Sequence, residues 1–317
     1  MSKYKEKPLY PVNLETFSLA SRKSKVSIKD FARPWSPEDS FYDFVNGLPG
    51  ILGGRDFKEF LALLSGAKKK RKARIFALGA HVIKVGLNPI MIDLMQEGWI
   101  SALAFNGAGI IHDFEIALSG ETSEDVESQI QEGDFGMAWE TGAMLNECIN
   151  SAAAEDVGIG EAVGKRIYES KFPYKDQSLM ASAYALAIPV TVHVGIGTDT
   201  IHFHPAVSGE ALGKSALQDF FLFCELIRKL NGGGFYLNIG SAVILPEVFL
   251  KAVSYVRNQG GNLEDFSTAV FDFIHHYRPF HNVVRRPVKG KGRGFYFIGQ
   301  HEILVPLLAA ALKSLKK

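Results

Sequence analysis

Residues 185–194 form an apolar run, rich in β-branched side chains, that ends in Gly195-Ile196-Gly197-Thr198-Asp199. Such a run reads as a strand buried on both faces, which a parallel sheet covered by helices provides. The polar residues that follow then sit outside the carboxyl end of a strand, where open α/β sheets keep their ligands. The remaining chain repeats this cadence. Residues 75–78 and 100–105 read as strands with a helix over 89–97 between them, and further strands are expected at 190–194, 235–239 and 267–273. Helices are expected at 178–186 and 218–230, with two more across 40–64 and an apolar one over 302–315. No internal repeat or low-complexity linker divides the chain. Residues 38–317 are therefore expected to form one α/β domain, a doubly wound, mostly parallel sheet with helices on both faces. Residues 1–37 lack periodicity and are expected to be an irregular arm, either a frayed tail or a strap across a neighbouring subunit.

The charge balance narrows the partner. With 35 basic and 34 acidic residues the formal charge is +1, so no global field draws the chain to nucleic acid or an anionic membrane. A small ligand is the better expectation. The basic run at 68–74 reads as a solvated helix end. Cys148 and Cys224 stand far apart without a Cys-x-x-Cys partner, which fits core thiols in a reducing compartment. The first residues lack an apolar targeting stretch, and no run reaches the roughly 20 apolar residues of a membrane span. A soluble, cytoplasmic protein is expected.

Three strand ends carry small residues beside polar ones: Asn106-Gly107-Ala108-Gly109, Gly195 to Asp199, and Asn238-Ile239-Gly240-Ser241-Ala242. Glycine lets a backbone approach a pyrophosphate, and the following helix offers free N–H donors and a partial positive charge. None is a full G-x-G-x-x-G fingerprint, but together they point to a dinucleotide or another phosphate compound. Histidine is the second signal, in His112-Asp113-Phe114-Glu115, His202-Phe203-His204 and His275-His276 with His281. His-x-His on a strand would place two imidazoles on one face, as a metal site needs. No recognised spacing closes a ligand set, so no metal is expected, and the rings serve as core residues or proton carriers. Asp199 is suited to pair with a substrate ammonium in a partly desolvated cleft, or else to cap a helix or turn. Ser123 is expected to cap the helix after the acidic segment 120–133, and Trp139 either packs or frames a pocket between Gly136 and Gly142.

At these residues the chain resembles the deoxyhypusine synthase family. The landmarks are FNGAGIIHDFE, IPVTVHVGIGTDTIHFH, NGGGFYLNIGSAV and HEILVPLLAA, spread from about residue 74 to residue 312. The resemblance implies a single large Rossmann-like domain that binds NAD and assembles as a homotetramer with shared active sites. It also implies a reaction, the transfer of an aminobutyl group from a polyamine such as spermidine to an acceptor amine. It implies that Asn106, Gly107, Ala108 and Gly109 lie beside the nucleotide, with Gly197, Thr198, Gly233, Gly234, Asn238 and Ser241 completing the cofactor site. Asp199 matches the aspartate that holds a substrate amine, and His112 falls where the family usually has a glutamate, a place for a proton carrier. The family's Glu-x-x-x-Trp-Gly-Lys segment, whose lysine carries a covalent imine, has no counterpart. HHYRPFHNVVRRPVKGKGRG stands in its place, leaving Lys289 and Lys291 as candidates for that lysine and Arg278, Arg285 and Arg286 for a phosphate or carboxylate. A small amine acceptor is then expected. Two other functions stay open: an NAD-binding protein without transferase activity, and a metal-dependent hydrolase built on the histidine pairs.

Overall fold

The computed structural model describes residues 3–288 and 290–315. Six strands, β1 (Arg74–Leu78), β2 (Ala102–Asn106), β3 (Val190–His193), β4 (Gly234–Ile239), β5 (Phe266–Asp272) and β6 (Gly294–Ile298), pair in parallel in the order β3-β2-β1-β4-β5-β6. Chain order reverses between β1 and β4, which makes the carboxyl ends of those two strands the switch point of a Rossmann-like sheet. Along β1, Phe76 and Leu78 enter one core while Ile75 and Ala77 enter the other. A period of two therefore feeds two apolar layers, which is why these strands read as continuous apolar runs. The segment that becomes β6 is an expectation missed: its five residues follow the basic stretch closely and read as part of it.

One face is covered by α1 (Phe41–Gly47), α2 (Leu52–Lys69), the single turn α3 (His81–Lys84), α4 (Asn88–Gln96) and α5 (Gly107–Ser119). After α6 (Val126–Glu132), which buries no residue, α7 (Trp139–Ala154), α8 (Ile159–Glu169) and α9 (Leu179–Ala185) extend that layer. The opposite face is built on α10 (Gly209–Arg228) and α11 (Ile244–Asn258), with the turn α12 (Tyr277–Pro279) running on into a π-helical turn at Phe280–Arg285. The last helix, α13 (His301–Ser314), returns to the first face. Residues 3–37 contain two short 3-10 turns and leave Leu9, Phe17 and Trp35 exposed.

Two local expectations change. Ser123 takes a positive φ of 75° and does not cap α6, whose N-cap is Asp125. Trp139 is 67% exposed at the start of α7, so it neither packs nor closes a pocket. Cys148 and Cys224 are free and buried, and burial pushes both thiols up to about 11. No helix among the described residues is long and apolar enough to cross a membrane.

Two buried aspartates hold the layers together. Asp113, which the sequence groups with His112, turns away from it: Leu179 N–H (2.8 Å), Met180 N–H (3.0 Å), Asn88 Nδ2 (3.2 Å) and the Ser178 hydroxyl all donate to its carboxylate. An anion at the first turn of α9 meets unpaired N–H groups there. Asp219 does the same for α8, accepting from Gly160 N–H (3.1 Å) and from Val192 N–H (2.9 Å) of β3. Gly158 is required beside it, because a Cβ there would lie 1.9 Å from Asp219 Oδ1. Burial pushes the Asp219 carboxyl up to about 7 against these hydrogen bonds. The unfolded value is about 3.9, so the protonated side chain favours the fold; this contribution is full below about pH 4 and is lost as pH rises to 7. The stability of the wild type relative to Asp219→Asn should fall by about 1.4 kcal/mol per pH unit across that window and then level off. Urea denaturation at several pH values measures it, and a pH-independent difference would refute the shift.

Candidate functional site

The site residues come from strand ends at one edge of the sheet. Asn106 closes β2 and caps α5, its Oδ1 accepting from Gly109 N–H at 3.2 Å. The neighbouring Gly107 is glycine because a Cβ would stand 2.0 Å from Asp199 Oδ2. The positive first turn of α5 thus faces a carboxylate of its own chain. Sequence reasoning gave these glycines to a pyrophosphate; here Gly107 makes room for Asp199 and Gly109 for the Phe105 ring, and a second anion in the same turn would be repelled.

Asp199 is 6% exposed, and its Oδ2 has no hydrogen-bond partner. Burial raises its carboxyl above the ordinary range, with His202, the Thr198 hydroxyl and Ala108 N–H opposing only in part. The loop ahead of it is shaped by Gly197 (φ 88°) and by the Thr198 hydroxyl, which donates to Gly195 O at 2.6 Å. His202 Nδ1 accepts from Gly197 N–H (3.1 Å) and Asp199 N–H (3.3 Å). That network assigns the remaining proton to Nε2, which lies 3.8 Å from Asp199 Oδ2.

The expectation of two strand imidazoles side by side fails. Thr200–Phe203 is a 3-10 turn, so His204 faces elsewhere, packing on α7 where a Cβ at Gly142 would lie 2.4 Å from its ring. Among the described residues no three His, Cys, Asp or Glu side chains converge on a metal-sized site, so the hydrolase alternative has no ligand set there.

Asp199 forms one wall of a cleft of about 180 Å³ that also meets Lys84, Ala108, His112, Glu115 and Glu124. His112 Nδ1 lies 2.6 Å from the Thr122 hydroxyl, which in turn donates to Glu115 Oε2, while Thr141 donates to Glu115 Oε1 at 3.0 Å. Burial alone would raise Glu115, but hydrogen bonds from His112, Thr122 and Thr141 outweigh it and hold the carboxyl below its usual range. The chain of bonds fixes the proton of His112 on Nδ1 and leaves Nε2 as an acceptor. Sequence reasoning grouped Glu115 with His112 but missed Lys84, which lines the same cleft; the readable signal for it was Gly79-Ala80-His81, a strand-end turn of the same kind as the other three.

At the switch point the turns after β1 and β4 cross so closely that a Cβ on Gly79 would meet Gly240 O at 2.0 Å. Asn238 is fully buried in β4; its Nδ2 donates to Ser241 O at 2.9 Å and its Oδ1 has no partner. Ser241 Oγ accepts from Leu245 N–H at 3.3 Å in the first turn of α11. Next along the edge, Asp272 is 1% exposed with Oδ2 unpartnered, and His276 Nε2 lies 3.7 Å from its Oδ1. Fully buried His301, at the start of α13, has neither ring nitrogen bonded, and its ring lies 5.6 Å from that of His81. Burial raises Asp272, opposed by His276, and burial lowers His301, opposed by Asp272. Asp272 and His301 gave no sequence signal beyond their residue types.

Three expected site residues lie elsewhere. Gly233 donates to Asp265 O at 2.7 Å and Gly234 opens β4, so both sit at the amino edge, roughly 20 Å along the strand from the switch point. They precede a strand, whereas ligand turns follow one. Lys291 is exposed beside Gly292, whose added Cβ would strike Phe266 O at 1.8 Å at the start of β5. It too belongs to the amino edge, away from Asp199. Lys289 lies outside the described residues. Of the arginines, Arg278 pairs with Glu247 at 3.4 Å, Arg286 donates to Asn282 at 2.7 Å, and Arg285 lies over the Phe280 ring.

No family model matches the sequence, and no curated protein matches it. Among solved structures, AgrE in ternary complex with ornithine and NAD+ superposes with a TM-score of 0.53 at 16% identity, over 83% of this chain and 33% of that one. ArgZ, an arginine dihydrolase from the ornithine-ammonia cycle in cyanobacteria, gives 0.51 at 16% identity, over 84% and 34%. This chain spans about a third of the length of either protein. A structure assigned as a deoxyhypusine synthase from Entamoeba histolytica gives 0.46 at 11% identity, over 90% and 97%, too loose to carry an argument. The first two matches establish a shared α/β fold, one of whose members was crystallised with NAD+.

Proposed function

We propose that this chain is a deoxyhypusine synthase-like, NAD-dependent transferase that moves an aminobutyl group from a polyamine such as spermidine to an acceptor amine. The observation that carries the reading is the buried carboxylate of Asp199, with one oxygen unpartnered, in the wall of a cleft at the carboxyl edge. A carboxylate taken out of water is costly until a cation meets it, and a primary ammonium supplies both charge and hydrogen-bond donors. His112 Nε2 can then accept a proton from the reacting amine, while Thr122 and Glu115 hold the ring.

The cofactor fits the switch point better than the turn of α5. Unpartnered buried atoms on Asn238, Asp272 and His301 cluster there, and the N-cap residue of α11, Val243, offers no side-chain acceptor, Ser241 Oγ taking only the Leu245 N–H of the first turn. Asn238, Ser241 and the first turn of α11 would hold NAD, with Asp272 and His301 beside them. When bound, NAD would accept hydride from the amine-bearing carbon and later return it, leaving the overall transfer redox-neutral. The same reading includes a homotetramer, supported by the apolar side chains that residues 3–37 expose.

The neighbour crystallised with ornithine and NAD+ makes a diamino acid the second substrate to test. Incubation with NAD+ and spermidine should release diaminopropane and show transiently reduced cofactor. Ammonia release from ornithine instead would move the assignment to the diamino acid. NAD+ binding by calorimetry without turnover of either would leave a nucleotide-binding protein and sink the transferase.

A further inference from the structure

The polar atoms left over at the switch point share one cover. Phe273, the first residue after β5, sets its ring against three imidazoles, with centroids 6.1 Å from His301, 6.3 Å from His81 and 6.4 Å from His276. Phe273 is 46% exposed, whereas Asp272 and His301 beside it are buried. An apolar ring thus roofs a polar well. Its walls come from adjoining chain ends. Gly299 N–H donates to Asp272 O at 3.0 Å, which brings the start of α13, and with it His301, up to Asp272. Gly240 N–H donates to Phe271 O at 3.0 Å, and a Cβ on Gly240 would lie 3.0 Å from His301 Nε2. Asn238 pairs in register with Val270 and so shares a sheet face with Asp272, two residues further along β5.

Counting donors and acceptors narrows what the well can take. Asn238 Oδ1 and Asp272 Oδ2 are acceptors without a partner, and both ring nitrogens of His301 are unpartnered too. Burial lowers His301, so its neutral ring offers one donor and one acceptor. Asn238 Nδ2 is already engaged by Ser241 O, and Asp272 Oδ1 by Phe273 N–H at 2.9 Å. A ligand that reaches in must bring at least two donors and one acceptor in a small group. A primary carboxamide does so. A carboxylate brings no donor and sets its charge against Asp272.

We propose that Asn238, Asp272 and His301 form a well that reads a primary carboxamide on an aromatic ring, with Phe273 as the side chain that gives way. The ligand's ring replaces that of Phe273 against the imidazoles, and its amide meets the unpartnered atoms. This rests on the reading of NAD as cofactor only for the bearer of the amide. The nicotinamide end then lies at the switch point and the phosphates at the first turn of α11.

Calorimetry on the full chain at pH 8 tests the well with nicotinamide, nicotinate, NAD+ and nicotinic acid adenine dinucleotide. In wild type each amide should bind about tenfold or more tighter than its acid. Asp272→Asn keeps the shape and removes the charge that repels the acid, so both ratios should fall toward unity; circular dichroism checks the fold. Phe273→Ala should keep the ratios and bind nicotinamide at least as tightly, because no ring has to be displaced; weaker binding there overturns the displacement. Ratios near unity in wild type, ratios unchanged in Asp272→Asn, or failure of both amides to bind overturn the well. Selection of nicotinamide over nicotinate without any binding of NAD+ keeps the well and sinks the cofactor reading. NAD+ bound no tighter than its acid analogue does the reverse.

Discussion

Asp199→Asn is expected to lower kcat/KM for the amine substrate by about 100-fold or more while leaving the protein at least as stable at pH 8. The substitution keeps the size of the side chain and removes only its charge. In a buried ion pair, loss of one partner costs roughly 3–5 kcal/mol, because the other charge is stranded. Stability should move the other way. Burial raises the carboxyl of Asp199, so its charged form disfavours the native state, and its contribution to folding is already lost as pH rises through that raised value. The acid limb of kcat/KM should lie above the ordinary carboxylate range in the wild type and vanish in the variant. Steady-state kinetics across pH, with thermal denaturation alongside, give both readouts. Equal losses of activity and stability would mean that Asp199 only holds its loop.

The largest structural effect is expected at Asp113. Asp113→Ala should cost about 3–5 kcal/mol and leave the chain barely folded at 37 °C. Four donors from α4, the start of α9 and the loop before it converge on this carboxylate. Alanine strands them in a buried site, where each orphaned donor costs about 1–3 kcal/mol before relaxation. Against a typical total stability of about 5–15 kcal/mol that loss is severe. Asp113→Asn keeps one acceptor oxygen and should lose less. Urea midpoints for the two variants, taken without substrate, measure the order, and an alanine variant as stable as the asparagine one would refute the hub.

Much of the site was legible because its signals are local. The turn at Asn106 to Gly109 and the loop from Gly195 to Asp199 announce themselves by spacing, and the structure places both at the carboxyl edge. The misplacement of Gly233, Gly234 and Lys291 was avoidable in principle. In a parallel sheet a glycine turn before a strand lies at the amino edge and one after it at the carboxyl edge, so order along the chain already separates them. Ser123 and the His202–His204 pair failed for another reason: a single positive φ and a 3-10 turn redirect side chains that an idealised cap or strand would have aimed correctly.

By itself the sequence determined the parallel α/β layering, since apolar runs bounded by glycine turns admit few other arrangements. It also singled out Asp199 as a charge with unusual surroundings. Only the tertiary structure decided what those surroundings are. Gly107 is small for the sake of a carboxylate more than ninety residues later, and His301 comes to rest beside Asp272 and His81. Which turn of the sheet is already filled and which still holds unpartnered atoms follows from such contacts. Periodicity encodes which face of an element is buried, but the partner it meets there is set by packing across the whole chain.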